Sequence, residues 1–153
     1  MFLIHSMAHL SSIYLPALKM TGAIKICEIG SELGGNTSIL LEYADENHGH
    51  IICIDPCPDN NLYEKLINKE NISFIKDKSL NAIFNIDCID VWFVDGDHNW
   101  YTVFNELSLI GKVSKRDGKP FLTFVQDVDW PSGRRDLYYD PSSIPENFLH
   151  DYS

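Results

Sequence analysis

Lys25-Ile26-Cys27-Glu28-Ile29-Gly30-Ser31-Glu32-Leu33-Gly34-Gly35-Asn36-Thr37 is the stretch that decides the fold. A short apolar run ends in an acid and glycines, then passes into a helical pattern. It reads as a strand, a tight turn and a helix start, because glycine takes positive φ and lets a ligand approach with no Cβ in the way. Asn36 or Thr37 is expected to cap the helix that Ile39, Leu40, Tyr43 and Ala44 continue. Nucleotide-type cofactors sit at such turns.

The spacing separates one cofactor from another. A dinucleotide turn follows Gly-x-Gly-x-x-Gly, its middle glycine lying where the pyrophosphate nears the helix N-terminus. That position is Glu32 here. A carboxylate there repels a pyrophosphate, which disfavours a nicotinamide dinucleotide and the oxidoreductase reading with it.

Outward from the turn, apolar runs of strand length recur at Ile51 to Ile54, Ile72 to Ile75, Val91 to Val94 and Phe121 to Val125, with the first run at Ile24 to Ile29. They are β-branched or aromatic and nearly continuous, as strands buried on both faces are. Helical patterns lie between them: Leu62, Tyr63, Leu66 and Ile67; the shorter Leu80, Ile83 and Phe84; and the clearest, Trp100, Val103, Phe104, Leu107 and Ile110. A segment around Met7 to Tyr14 precedes the first strand and is expected to be interrupted at Pro16. The alternation predicts an α/β fold, a Rossmann-like doubly wound, mostly parallel sheet that stops after the fifth strand. Residues 1–153 are expected to form one domain, with 128–153, rich in Pro, Ser, Asp and Tyr, an extended loop or tail on the substrate side.

Composition narrows the partners. Against 12 Lys and Arg stand 22 Asp and Glu, a formal net charge of -10, which argues against nucleic acid, since phosphate binding needs clustered cations. No apolar run approaches the roughly 18 residues of a membrane span, and Met1 to Ile4 is too short for a signal peptide. Cys27, Cys53, Cys57 and Cys88 fall in or beside strands, so buried free thiols and a cytoplasmic location are expected. Cys53-x-x-x-Cys57 lacks a second Cys/His pair at zinc spacing.

In open α/β sheets ligands lie beyond the carboxyl ends of the strands. Asp55 ends the second strand, Asp77-Lys78-Ser79 follows the third, Asp95-Gly96-Asp97-His98 ends the fourth, and Gln126-Asp127-Val128-Asp129 the fifth. Glu28-x-Gly30-x-x-x-Gly34 resembles the first motif of class I S-adenosylmethionine-dependent methyltransferases. Val94-Asp95-Gly96-Asp97-His98 before an aromatic-rich helix resembles a motif of the small-molecule O-methyltransferases related to catechol and macrolide-sugar methyltransferases, the Methyltransferase 24-like branch. Trp130 to Tyr139 resembles a loop found after the fifth strand in that group.

The resemblance implies methyl transfer from S-adenosyl-L-methionine to a small hydroxylated metabolite or sugar. Its cofactor site would comprise Glu28, Gly30, Ser31, Gly34, Asn36, Asp55 and Asp95, with Ser79 near the adenine. In metal-dependent relatives the ligands end the fourth and fifth strands. Asp95 and Asp127 match two such positions for Mg2+, and Val128 departs from the pattern. Asp97 matches a proposed general base, with His98 beside it, although Asp97 or Asn99 can equally cap the helix starting near Trp100. Arg134, Arg135 and Tyr138 are candidates to clamp the substrate. Two expectations compete with a plain monomeric enzyme: a shortened, silent relative that binds cofactor or protein, and a homo-oligomer joined through the exposed edge of the fifth strand.

Overall fold

The computed structural model describes residues 6–126. A short 3-10 turn at Met7–Leu10 leads into α1 (Ser11–Thr21), followed by β1 (Lys25–Ile29), α2 (Gly35–Asn47), β2 (His50–Ile54), α3 (Asn60–Leu66), β3 (Ile72–Ile75), α4 (Ser79–Ala82), a second 3-10 turn at Ile83–Asn85, β4 (Val91–Val94), α5 (Trp100–Asp117) and β5 (Leu122–Val125). The sheet order is β3-β2-β1-β4-β5, and every pairing is parallel. The order reverses between β1 and β4. There the loops leaving two neighbouring strands run to opposite sides and open a crevice.

Alternation along the strands divides the core in two. Ile26, Ile51, Cys53, Val91 and Phe93 face α1, α2 and α3 with Tyr14, Leu18, Leu40 and Leu62. Cys27, Ile29, Ile52, Ile54, Trp92 and Val94 face the other layer with Ala82, Ile83, Ile110 and Val113. Side chains two apart share a face of a strand. Glu28 therefore stands with Ile26 on the α2 side.

Local structure departs from the sequence expectations in four places. Helix α1 runs through Pro16 to Thr21. Proline there forfeits one intrahelical bond, while Tyr14 and Leu18, one turn apart, anchor the helix in the core. Helix α2 is capped by Gly34 in the left-handed conformation, φ 77°, and Asn36 and Thr37 lie inside the first turn with their side chains buried. Only Cys27 and Cys53 are buried, whereas Cys57 and Cys88 are exposed. On α5 the buried positions are Thr102, Glu106, Ile110 and Val113, while Phe104 and Leu107 of the expected apolar face point to solvent.

Candidate functional site

Backbone ties bring the strand ends together. The Gly30 N–H donates to the Ile54 carbonyl at 2.9 Å, and the Asp95 N–H to that of Ile29 at 3.0 Å. Gly30 has φ +85°, and a Cβ built on it falls 2.2 Å from the Asp95 carbonyl oxygen. The β1 and β4 loops thus meet across a position only glycine fills.

Above this junction lies a cavity of about 370 Å³, a size that suits a small-molecule ligand. Gly30, Ser31 and Asn36 form its α2 wall, Asp55 and Ser79 line the β2 and β3 ends, and Asp95, Asp97 and His98 supply the β4 end. These sequence candidates converge on one cleft. Thr102 and Glu106 of α5 also line it. Glu28 and Gly34, the other two expected cofactor residues, are not among the residues that line it.

Glu28 is 1% exposed. Its oxygens accept from the Asn36 amide at 2.8 Å, the Thr37 hydroxyl at 2.5 Å and the Cys53 thiol at 3.5 Å. The Tyr14 hydroxyl in turn donates to Asn36 at 2.6 Å. One chain of polar groups therefore locks α1 and α2 onto β1 directly behind the glycine turn. Burial pushes the Glu28 carboxyl up to about 7, against the opposing pull of those donors.

Asp55 organises the turn itself. One oxygen accepts from the Ser31 N–H at 2.9 Å, the Ser31 hydroxyl at 3.1 Å and the Glu32 N–H at 3.0 Å. The other accepts from the Cys57 N–H at 2.8 Å. A carboxylate oxygen has two lone pairs, so this second oxygen keeps capacity for a ligand hydroxyl.

At the β4 end Asp97 is held by the α5 cap. It accepts from the Asn99 N–H at 3.2 Å, the Asn99 side-chain amide and the Thr102 hydroxyl at 3.0 Å. Asn99 is the N-cap, accepting from the Thr102 N–H at 2.9 Å. Asp95 accepts the Met7 N–H at 3.1 Å, and its other oxygen lies 3.7 Å from His98 Nε2, an ion-pair distance within a nearly buried pair.

Glu106 is a lining residue that sequence reasoning missed. It is 0% exposed, and neither carboxylate oxygen has a hydrogen-bond partner. The nearby Ser79 hydroxyl favours the charged form without reaching hydrogen-bond geometry. Burial prevails and lifts the carboxyl to about 7, helped by the Asp97 charge. The available signal was the series Thr102, Glu106, Ile110 at helical spacing, where a carboxylate interrupts a line that is otherwise neutral.

Among the described residues no group of three or more His, Cys, Asp or Glu is placed to hold a metal ion. Asp127, the second expected Mg2+ ligand, lies outside the described residues, as do Arg134, Arg135, Tyr138 and the 128–153 tail. No helix among the described residues is long and apolar enough to cross a membrane.

A parallel sheet with a glycine turn and acidic strand ends around its switch-point cleft is the frame of a Rossmann-like α/β protein. A family model described as a methyltransferase domain matches residues 27–121. The chain belongs to that methyltransferase-domain family. An uncharacterized protein of Acanthamoeba polyphaga mimivirus is 31% identical over 117 residues, covering 67% of this chain and 52% of the relative. The chain thus spans about half the length of that curated relative. The crystal structure of the SAH-bound methyltransferase PaMTH1 from Podospora anserina superposes with a TM-score of 0.54 at 16% identity, over 71% of this chain and 47% of that one. At that identity the likeness is one of fold.

Proposed function

We propose that the chain binds S-adenosyl-L-methionine in the switch-point cleft and transfers its methyl group to a hydroxyl oxygen of a small hydroxylated metabolite or sugar. The observation that carries this reading is the convergence of Gly30, Asp55, Ser79, Asp95 and His98 on one cavity of about 370 Å³ in a methyltransferase-domain chain. The SAH bound to the Podospora anserina enzyme supports the choice of ligand. The residues present fit such a group, since the cleft combines a glycine-lined wall with a carboxylate able to accept hydrogen bonds from hydroxyls and a buried carboxyl whose oxygens have no protein partner. When bound, the cofactor would supply an electrophilic methyl group for the acceptor oxygen, with its thioether as the leaving group.

Asp55 would hold the ribose hydroxyls, and Gly30, Ser31 and Asn36 the amino acid end, with Asp95 beside it. The acceptor hydroxyl must also lose a proton. His98 is the proposed base, and Asp95, 3.7 Å from its Nε2, would stabilise the imidazolium once the proton is taken. Asp97, bound by three donors of the α5 cap, would fix the loop that carries His98. That commitment of Asp97 also favours the second reading, a cofactor-binding relative without turnover. The free thiols support a cytoplasmic setting.

Calorimetry with S-adenosylhomocysteine tests the cofactor. Asp55→Ala should weaken binding about ten- to a hundredfold, the value of roughly 1.5 to 3 kcal/mol in charge-assisted bonds. Unchanged affinity in the folded variant refutes the Asp55 assignment, and tight NAD binding by the wild type refutes the methyltransferase reading. Turnover assayed with chelator or added Mg2+ then separates two routes. Activity that survives chelator and is lost in His98→Gln supports proton removal by the side chain. Activity that needs Mg2+, with the requirement raised by Asp95→Asn, supports the metal route.

A further inference from the structure

Glu106 lines the cleft from the side opposite the glycine turn, on the α5 face that packs against α4 and the Ile83–Asn85 turn. Its carboxyl is fully buried and neither oxygen is satisfied by protein. A buried carboxyl in that state is costly, and a ligand that supplies the missing partners recovers the cost. The polar groups around it are the Ser79 hydroxyl, the charges of Asp97 and His98, the Cys27 thiol beneath on β1, and Lys78, which lines the same cleft. A protonated carboxyl presents one donor and one acceptor side by side. That pair complements a ring nitrogen adjoining an exocyclic amine, the edge that adenine offers.

We propose that Glu106 reads the purine of the bound cofactor, accepting a hydrogen bond from the 6-amino group and donating one to the adjoining ring nitrogen. The assignment rests on the S-adenosylmethionine reading above. It makes Glu106 a specificity residue that separates adenine from purines lacking the amine.

The test is a chemical double-mutant cycle by calorimetry on the full chain. The ligands are S-adenosylhomocysteine and its analogue with hydrogen in place of the 6-amino group. Removal of the amine should cost the wild type about tenfold or more in affinity. Glu106→Leu should lose a similar factor for S-adenosylhomocysteine and then bind both ligands within about twofold of each other. A folded Glu106→Leu that binds like wild type, or that keeps the full discrimination, overturns the proposal. Should Glu106→Leu fail to fold, Glu106→Gln carries the test through pH. The amide keeps a donor and an acceptor at every pH, whereas wild type loses its O–H donor as pH rises. Wild-type affinity should fall about fivefold or more from pH 6 to pH 8.5, and Glu106→Gln should lack that fall. Glu28, His98, Asp97, Cys27 and Lys78 are present in both proteins, so the difference between the two slopes is what reads Glu106, and equal pH slopes overturn the assignment. No binding of S-adenosylhomocysteine by the wild type removes the cofactor reading itself, and this assignment with it.

Discussion

A carboxyl whose folded-state pKa is about 7 is half protonated in neutral solution, and Glu28 and Glu106 both stand there. Their unfolded values lie near 4.5, so the native state holds more protons than the unfolded chain between those limits. The stabilising contribution of each group is complete below about pH 4.5 and is lost as pH rises through about 7. Each loss is on the order of 3 kcal/mol at most. Asp90, where burial pulls upward but the Lys119 ammonium and the Lys25 and Ile24 N–H groups together outweigh it and hold the carboxyl below its ordinary value, works with the opposite sign, and its contribution disappears only as pH falls below the ordinary aspartate range. The urea midpoint should therefore rise as pH falls from 8 to 5, and Glu28→Gln should flatten much of that slope. A Glu28→Gln protein with the wild-type slope would show that Glu28 stays ionised, held by its Asn36, Thr37 and Cys53 donors.

Among the elements, the β1 to α2 turn concentrates the constraint. Gly30, Gly22 and Gly118 all have positive φ, but a Cβ meets the Asp95 backbone at 2.2 Å only at Gly30, and finds nothing within 4 Å at the other two. Gly118→Ala should cost about 1 to 2 kcal/mol, the backbone strain alone. Gly30→Ala adds a clash between two loops and should cost about 3 kcal/mol or more, with loss of ligand binding. Equal urea-denaturation costs for the two variants would show that the loops can separate freely. This turn was legible in the sequence because glycine at that spacing has a backbone reason, and the strands were legible because β-branched runs buried on both faces leave a continuous apolar record. The polar roles behind the turn were less so. Asn36 and Thr37 have the chemistry of helix caps, and only the parity that puts Glu28 on the α2 face turns them inward. Helix α5 was legible only in part for a related reason: the hydrophobic period found the buried Ile110, but Phe104 and Leu107 of the same face point outward while Thr102 and Glu106 face in, which hid the carboxyl at the cleft.

For the molecule as a whole, the sheet leaves a question at β5, which among the described residues pairs with β4 alone. Its four residues are half-buried, and Phe124 stacks on Phe93 at 5.1 Å between ring centres, which seats the strand on the core. Among the described residues nothing pairs with its outer edge, and Phe121 beside it is 38% exposed. Phe104 and Leu107 are further exposed apolar side chains, on α5. A strand edge with adjoining apolar surface is a template for pairing, so a dimer or larger assembly through β5 is the expected solution state unless residues 128–153 cover the edge. Light scattering should give at least twice the 17.5 kDa chain mass, and a Thr123→Pro substitution, which removes a backbone donor and restricts φ, should shift that mass toward monomer if the residue 123 N–H faces outward. A monodisperse monomer whose 128–153 segment is readily cut by protease would contradict both forms of the expectation. The methyltransferase-domain core would then tolerate an open edge, and the apolar face of α5 would need another explanation.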